Sequence, residues 1–268
     1  MIPGFFAAGG AQGPAPAHWT PAEIPTQIWL DASDPDARVV VSGALSELLD
    51  KSGRGQDFAQ AAAIRRPTLA VGALGGRDTA EFDGNNHGLV RAATSVGRNA
   101  SSICMAFLVR PDSVSSDRRF WNSSTGTSSE AARILVGFNA SGRWRVGGRR
   151  IDSGGYAENT SVVATASQWT IMVACFDYAN ANLTIRLNGA AASSGAFNDP
   201  GTSSDTDSIR ASLGSGFGAT IFNVQGGFAE LVAAPDAGEA ERIEGYFAHK
   251  WGLSSLLPAG HPYKEQRP

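Results

Sequence analysis

The sequence has few charges, few cysteines and no long apolar run, and each scarcity excludes a class of protein. Charged residues form 18% of the 268 residues, below the usual share of about a quarter. The formal net charge is −3, which lacks the basic footprint of a nucleic-acid-binding protein. No stretch approaches the roughly 18 apolar residues of a membrane-spanning helix. We therefore expect neither nucleic-acid binding nor membrane insertion.

The two cysteines and the first residues bear on the compartment of the protein. Cys104 lies in SSICMAFLV and Cys175 in WTIMVACFDY, and these apolar runs favour two buried free thiols. A disulfide would need the two residues on facing strands with Cα atoms within about 7 Å, which the sequence leaves open. The start, MIPGFFAAGGA, lacks the basic and apolar regions of a signal peptide. We therefore expect any export to occur as part of an assembled particle or by a route that needs no cleaved leader.

Turn-forming residues are abundant and divide the chain into an arm and a domain. Residues 1–24 are rich in Gly, Ala and Pro and show no strand or helix periodicity, which predicts an N-terminal arm. Ile2, Phe5 and Phe6 are costly to leave in water, so they could dock onto a partner subunit or fold back on their own domain. From residue 25 onward, short apolar segments alternate with turn signals, as in an all-β sandwich.

One helix is predicted, over residues 236–251. Asp236 can cap its start, and Ile243, Phe247 and Trp251 recur every four residues on one face. Gly252 is placed to end it in a left-handed conformation. We expect the helix to cover one side of the sandwich, within a single domain of residues 25–268.

Seven segments follow one another along residues 27 to 263, and they read IWLDASD, DKSGRGQDFAQ, RRPTL, AEFDGNNHGL, GGFAELV, ERIEGYFAHKWGL and LPAGHPY. In this order they resemble the concanavalin A-like, laminin-G-type modules common in tailed-phage virion proteins, gene-transfer-agent particles and some bacterial surface proteins. The resemblance implies a jelly-roll sandwich of two antiparallel sheets with one C-terminal helix and an extended N-terminal arm. It also implies glycan adhesion in many members and a position on the surface of a phage-like particle.

The region from 118 to 156 is richest in the aromatic and polar side chains that bind sugars. Aromatic faces stack on sugar rings, and Asn and Arg fix hydroxyl or acidic groups. The opposing interpretation is a solvated edge hairpin with Trp144 in the core. The candidate glycan-binding residues are Trp121, Asn122, Arg143, Trp144, Arg145 and Tyr156.

Catalytic and metal-binding patterns are weak. A jelly-roll glycan hydrolase delivers carboxylates at alternating strand positions, and Glu81 and Asp83 lack a third partner in the following Gly-Asn-Asn. No metal site is predicted, although three oxygen-rich loops suit calcium in composition. Solvated turns explain those loops equally well. Their residues are Asp31, Asp34 and Asp36, then Asp83, Asn85 and Asn86, then Asp199, Asp205 and Asp207.

The leading hypothesis is a non-enzymatic virion structural or adhesion protein that binds a host capsular or surface polysaccharide. Its arm would dock to other virion subunits, and we expect a homo-oligomer. The sequence does not separate head from tail location. The alternatives are an architectural capsid or tail cement protein without glycan binding and, third, a glycan hydrolase.

Overall fold

The computed structural model describes residues 18–128, 131–197, 199–206, 209–219 and 221–268. These residues form seventeen strands and one α-helix, with short 3-10 turns between them. Every strand pairing among them is antiparallel. The elements are β1 (Ile28–Asp31), β2 (Arg38–Val41), β3 (Ala44–Leu48), β4 (Phe58–Ala59), β5 (Thr68–Leu74), β6 (Arg77–Asp83), β7 (Leu89–Thr94), β8 (Ser102–Pro111), β9 (Arg118–Ser124), β10 (Ala132–Phe138), β11 (Trp144–Gly148), β12 (Ala157–Asn159), β13 (Thr170–Asp177), β14 (Asn182–Leu187), β15 (Ser193–Ala196), β16 (Ile209–Leu213), β17 (Gln225–Ala234) and α1 (Ala240–Lys250).

The strands form two layers. The front sheet has the order β4-β7-β16-β9-β10-β11-β12. The back sheet runs β15-β14-β13-β8-β17, and β17 then pairs with both β6 and β1. β3 pairs with β2, β4 and β5, and thereby joins the two layers into a nearly closed network. The expected jelly-roll sandwich of antiparallel sheets is confirmed.

Two hydrophobic cores follow from the alternation of side chains along the strands. The main core lies between the sheets and includes Phe107 from the back and Trp121 from the front. The second core lies between the outer face of the back sheet and α1, which contributes Ile243 and Phe247. The sandwich is thus covered on one side by its helix.

The helix starts and ends close to the predicted residues. Asp236 caps a 3-10 turn through the Gly238 N–H (2.8 Å), and the α-helix proper begins at Ala240. Gly252 has a φ of 71°, and the Leu253 N–H bonds the Ala248 carbonyl at 2.6 Å. This is the 6→1 bond of a Schellman motif. No helix among the described residues is long and apolar enough to cross a membrane.

The end of the predicted arm packs against the domain. Trp19 lies edge-on to Tyr246 of α1, with ring centroids 6.0 Å apart, and Ile24 packs on the second core. Residues 18–24 therefore contact the helix rather than extend from it. Ile2, Phe5 and Phe6 lie outside the described residues, so the docking prediction for the arm stays a prediction.

The cysteine interpretation needs correction. Cys104 of β8 and Cys175 of β13 are directly paired across the back sheet and form a disulfide, with Cα atoms 4.0 Å apart. The expectation of two buried free thiols is wrong, because the register of two strands 71 residues apart places the side chains opposite each other.

A buried carboxylate anchors the helix. Glu230 of β17 has no exposed surface and accepts hydrogen bonds from the Trp29 indole (2.7 Å), the Tyr246 hydroxyl (2.9 Å), the Lys250 ammonium (2.7 Å) and the Trp251 indole (2.7 Å). A carboxylate inside an apolar strand must be paired in this way.

We predict that Glu230→Gln lowers the free energy of unfolding by about 3–5 kcal/mol. The amide nitrogen of Gln would face donors, because each carboxylate oxygen of Glu230 accepts two hydrogen bonds. Urea unfolding measures the loss. Glu239→Gln is the matched control, since its pair with Arg242 is 3.3 Å long and partly exposed and should contribute less than about 1 kcal/mol. Equal effects of the two substitutions would contradict the anchoring role.

Candidate functional site

The outward face of the front sheet carries the candidate site. Directly paired residues on adjacent strands point to the same face of a sheet. Asn122 pairs with both Ser212 and Leu135, and Leu135 pairs with Gly147. Gly147 in turn pairs with Glu158. These residues form a row that crosses five strands on the side away from the main core.

A second row places two arginines on the same face. Gly137 of β10 pairs with Arg119 of β9 on one side and with Arg145 of β11 on the other. A Cβ at Gly137 would lie 2.0 Å from the carbonyl oxygen of Arg118. Only glycine allows this approach of the strands, so Gly137 sets the separation of the two arginine-bearing strands.

Two of the predicted aromatic residues face the other way. Trp121 is fully buried in the main core against Phe58, with ring centroids 5.3 Å apart, and Trp144 packs on Phe120 and Phe138. Neither ring can stack on a sugar, so these two predictions are wrong. The opposing interpretation is confirmed for Trp144, which lies in the core, but the β10–β11 hairpin is not at a sheet edge, because β10 also pairs with β9 and β11 with β12. A bulge beside Val136 turns both Phe120 and Trp121 inward.

Arg119 of β9, which the sequence analysis did not predict as a site residue, lies beneath the outward face. Its Nη1 donates to the Asn122 side-chain oxygen at 3.0 Å, and its guanidinium lies 3.8 Å from the centre of the Phe222 ring. Burial lowers the pKa of Arg119 to about 10, and the neighbouring charge of Arg145 acts in the same direction. Arg119 has no exposed surface, so it supports the face from within and does not itself contact a ligand.

Arg145 occupies the centre of an ion-pair network. It bonds Asp117 (2.8 Å) and Glu158 (2.5 Å), and its guanidinium carbon lies 5.7 Å from the centre of the Tyr156 ring. Burial disfavours its charge, but the adjacent groups outweigh this and raise the pKa of Arg145. Burial also raises the pKa of Tyr156, so its hydroxyl remains protonated and can donate.

Some buried polar atoms on this face lack a partner. The Asn122 Nδ2 and the Asp117 Oδ1 are buried and form no hydrogen bond within the described part of the chain. The Tyr156 hydroxyl lies near Arg145 and Glu158 without a hydrogen bond of acceptable geometry to either. Such atoms normally find a partner in protein, water or ligand. These atoms have almost no accessible surface, so the groups open to a polar ligand on this face are the partly exposed side chains of Arg145 and Glu158.

The remaining predicted residue, Arg143, lies at the rim. It is exposed and precedes β11, where its Nη1 donates to the Ser161 carbonyl at 2.9 Å. The structure therefore leaves Arg145 and Tyr156 partly exposed on the face and Arg143 at its margin. Asn122 has no exposed surface beside the equally buried Arg119, so the prediction that Asn122 contacts a sugar is wrong. Strand alternation was a usable signal, because an inward Trp144 forces its neighbour Arg145 outward.

In two of the three oxygen-rich loops, carboxylates are already bound within the protein. Asp31 and Asp34 both bind Lys51, and Asp31 also binds Lys250. One Asp83 oxygen accepts three backbone N–H groups of its own turn. Among the described residues, no three His, Cys, Asp or Glu side chains are grouped for a metal ion. Asp207 lies outside those residues.

Comparison with known families agrees with the fold. A family model described as the concanavalin A-like lectin/glucanases superfamily matches residues 82–231. The chain belongs to this superfamily. The match covers more than half of the 268 residues. It includes the outward face of strands β9 to β12, which carries Arg119 and Arg145 and is called the arginine-bearing face below. No curated protein sequence matches the chain.

Solved structures with the same fold include toxin and enzyme domains. The binding domain of botulinum neurotoxin serotype D has a TM-score of 0.58 at 9% identity, over 85% of this chain and 52% of its own. The binding domain of Paraclostridial Mosquitocidal Protein 1 has a TM-score of 0.59 at 12% identity, and the match covers 86% of this chain and 53% of that structure. The chain spans about half the length of these two structures. Domain 4 of a GH43 extracellular arabinanase from Geobacillus stearothermophilus, in complex with arabinotriose, has a TM-score of 0.51 at 14% identity. The match covers 78% of this chain and 91% of that domain.

We predict that Gly137→Ala lowers the free energy of unfolding by about 2 kcal/mol or more, because its Cβ would collide with the Arg118 backbone. Urea unfolding measures the change. Gly126→Ala is the control, since a Cβ there meets only the Ala131 Cβ at 3.4 Å. A Gly137→Ala protein as stable as this control would show that the strand spacing does not depend on glycine.

Proposed function

We propose that this chain is a non-catalytic carbohydrate-binding protein that holds an acidic glycan against the outward face of the front sheet. The observation that carries the proposal is Arg145, whose partly exposed side chain lies between Asp117 and Glu158 and beside the Tyr156 ring. An acidic sugar offers a carboxylate to the Arg145 guanidinium and hydroxyls to the exposed Glu158 carboxylate. Membership in a superfamily that includes lectins supports a sugar as the ligand.

The absence of catalysis is part of this proposal. The carboxylates that suggested a hydrolase are occupied, since Glu81 binds Arg110 at 2.8 Å and Asp83 caps its own turn. On the outward face, both Asp117 and Glu158 bind Arg145. A retaining or inverting hydrolase needs one carboxyl free to donate a proton and another to attack or activate water. The arrangement supports binding more than hydrolysis.

We predict that Arg145→Gln weakens binding of an acidic bacterial polysaccharide by tenfold or more, because a charge-assisted hydrogen bond is lost. A glycan array with wild-type protein identifies the polysaccharide, and calorimetry measures the variants. Trp144→Phe is the control, since its core position predicts unchanged affinity. Wild-type affinity should also fall as salt is added. Binding that depends on Trp144 but not on Arg145 would overturn the assignment of the face.

The biological setting follows from the sequence resemblance. We propose that the protein is displayed on a phage-like particle, with the region before residue 18 docking to other virion subunits through Ile2, Phe5 and Phe6. The packing of Trp19 on α1 supports a boundary at residue 18 rather than 25. The sandwich would then face outward and contact a host polysaccharide.

We predict that deletion of residues 2–17 abolishes incorporation into particles and leaves the folded domain unchanged. Incorporation is measured by immunoblotting of purified particles, and folding by the unfolding transition of the isolated protein. Single replacement of Phe5 and Phe6 by Ser separates an apolar contact from a simple length requirement. Normal incorporation of the deleted protein would contradict the docking role.

A second candidate function, architectural cement between subunits, is favoured by one surface. Strand β2 pairs only with β3 among the described strands, and its Val39, Val40 and Val41 are exposed. An edge strand with exposed β-branched residues can pair with another chain. If the protein associates through β2 and binds no glycan on the array, its function is to join neighbouring subunits.

A further inference from the structure

A pocket of about 140 Å³ lies at the C-terminal end of α1, on the side opposite the arginine-bearing face. Its lining combines aromatic rings with cationic groups, and none of its lining residues is Asp or Glu. The residues that matter here are Trp19, Arg77, Tyr246, His249, Lys250 and Arg267.

The walls suit a flat ring. Trp19 and Tyr246 meet edge to face with centroids 6.0 Å apart. Tyr246 is held in place because its hydroxyl donates to Glu230 and accepts from the Lys250 ammonium. A cavity of about 150 Å³ is known to admit a benzene-sized ring, so this pocket has room for one six-membered ring.

The polar groups suit a negative charge. Arg77 donates from Nε to the Lys250 carbonyl (2.9 Å), which places its guanidinium at the pocket. Within the described residues, neither Arg77 nor Arg267 has a carboxylate within 4.0 Å. The charge of Lys250, in contrast, is balanced by Asp31 (2.6 Å) and Glu230 (2.7 Å). The attraction for an anion therefore comes from the two arginines.

One buried donor at the pocket has no partner. The Trp19 indole nitrogen is buried and makes no hydrogen bond with the described residues. A buried N–H without an acceptor costs about 1–3 kcal/mol relative to a bonded one. Because this N–H belongs to a ring that lines the pocket, a ligand packed against Trp19 changes its surroundings.

We propose that this pocket binds a small organic carboxylate whose ring lies against Trp19 and Tyr246 and whose carboxylate faces Arg77. Ring and charge together define the ligand class, which an aromatic acid or a uronic acid can supply. The assignment is independent of the proposed polysaccharide site, because the two lie on opposite sides of the sandwich. Loss of one activity would leave the other intact.

The test uses the full chain and protein-observed NMR of the Trp19 indole N–H, identified by its disappearance in Trp19→Phe. Sodium benzoate and sodium glucuronate are titrated separately, with benzyl alcohol and methyl glucoside as their neutral counterparts. We expect a saturable shift of this resonance with at least one carboxylate and none with its neutral counterpart. The carboxylate that saturates identifies the source of the ring.

Arg77→Gln should weaken this binding by about tenfold. Arg54→Gln is the matched control, because Arg54 also donates from Nε to a backbone carbonyl, that of Thr26 at 2.7 Å, but lies beside Pro235 near the other end of α1. The proposal is overturned if no carboxylate saturates the shift, if the neutral compounds bind equally, or if Arg77→Gln binds as wild type does.

Discussion

The arrangement of this protein depends on a single buried carboxylate, Glu230. Burial raises its pKa, and the nearby Asp31 adds to this effect, while Lys250 opposes it. A charged carboxylate without partners in such a position would cost several kcal/mol. Its four donors come from β1, from α1 and from Trp251 just after the helix. The strand, the sheet and the helix must therefore be assembled together for any of them to be stable.

A second buried carboxylate fixes the other side of the helix. Glu244 of α1 binds Arg186 of β14 at 2.9 Å, and the His261 ring lies 3.2 Å from the same Glu244 oxygen. Together, Glu230 and Glu244 hold the helix and the chain beyond it against the outer face of the back sheet. That face is thereby occupied along the length of α1.

Much of the fold was predictable from local signals, because those signals act within a few residues. The stripe of Ile243, Phe247 and Trp251 and the Gly252 stop needed no tertiary information, and the structure confirms them. The partners of Glu230 and the disulfide could not be predicted, because both depend on the register of strands far apart in sequence. Trp29 and Glu230, for example, are 201 residues apart.

Only part of the candidate site could be predicted from the sequence, because strand register again decides which side chains face outward. A one-residue change of register exchanges the two faces of a strand, so Arg143-Trp144-Arg145 reads equally well with the tryptophan inside or outside. The core position of Trp144 fixes which face of β11 each side chain occupies. It also removes the expected stacking surface for a sugar ring. The outward orientation of Arg119 could not be predicted, because a bulge in β9 turns both Phe120 and Trp121 toward the core and so breaks the strand alternation.

Arg145 supplies the physical reason to expect a ligand on this face. Arg119 has no exposed surface and is held by Asn122 and the Phe222 ring, so its interactions are made within the protein. Arg145 instead keeps part of its side chain exposed while it binds Asp117 and Glu158. Charge-assisted hydrogen bonds are the strong ones, and a sugar carboxylate can join this network from the exposed side without displacing a residue of the core.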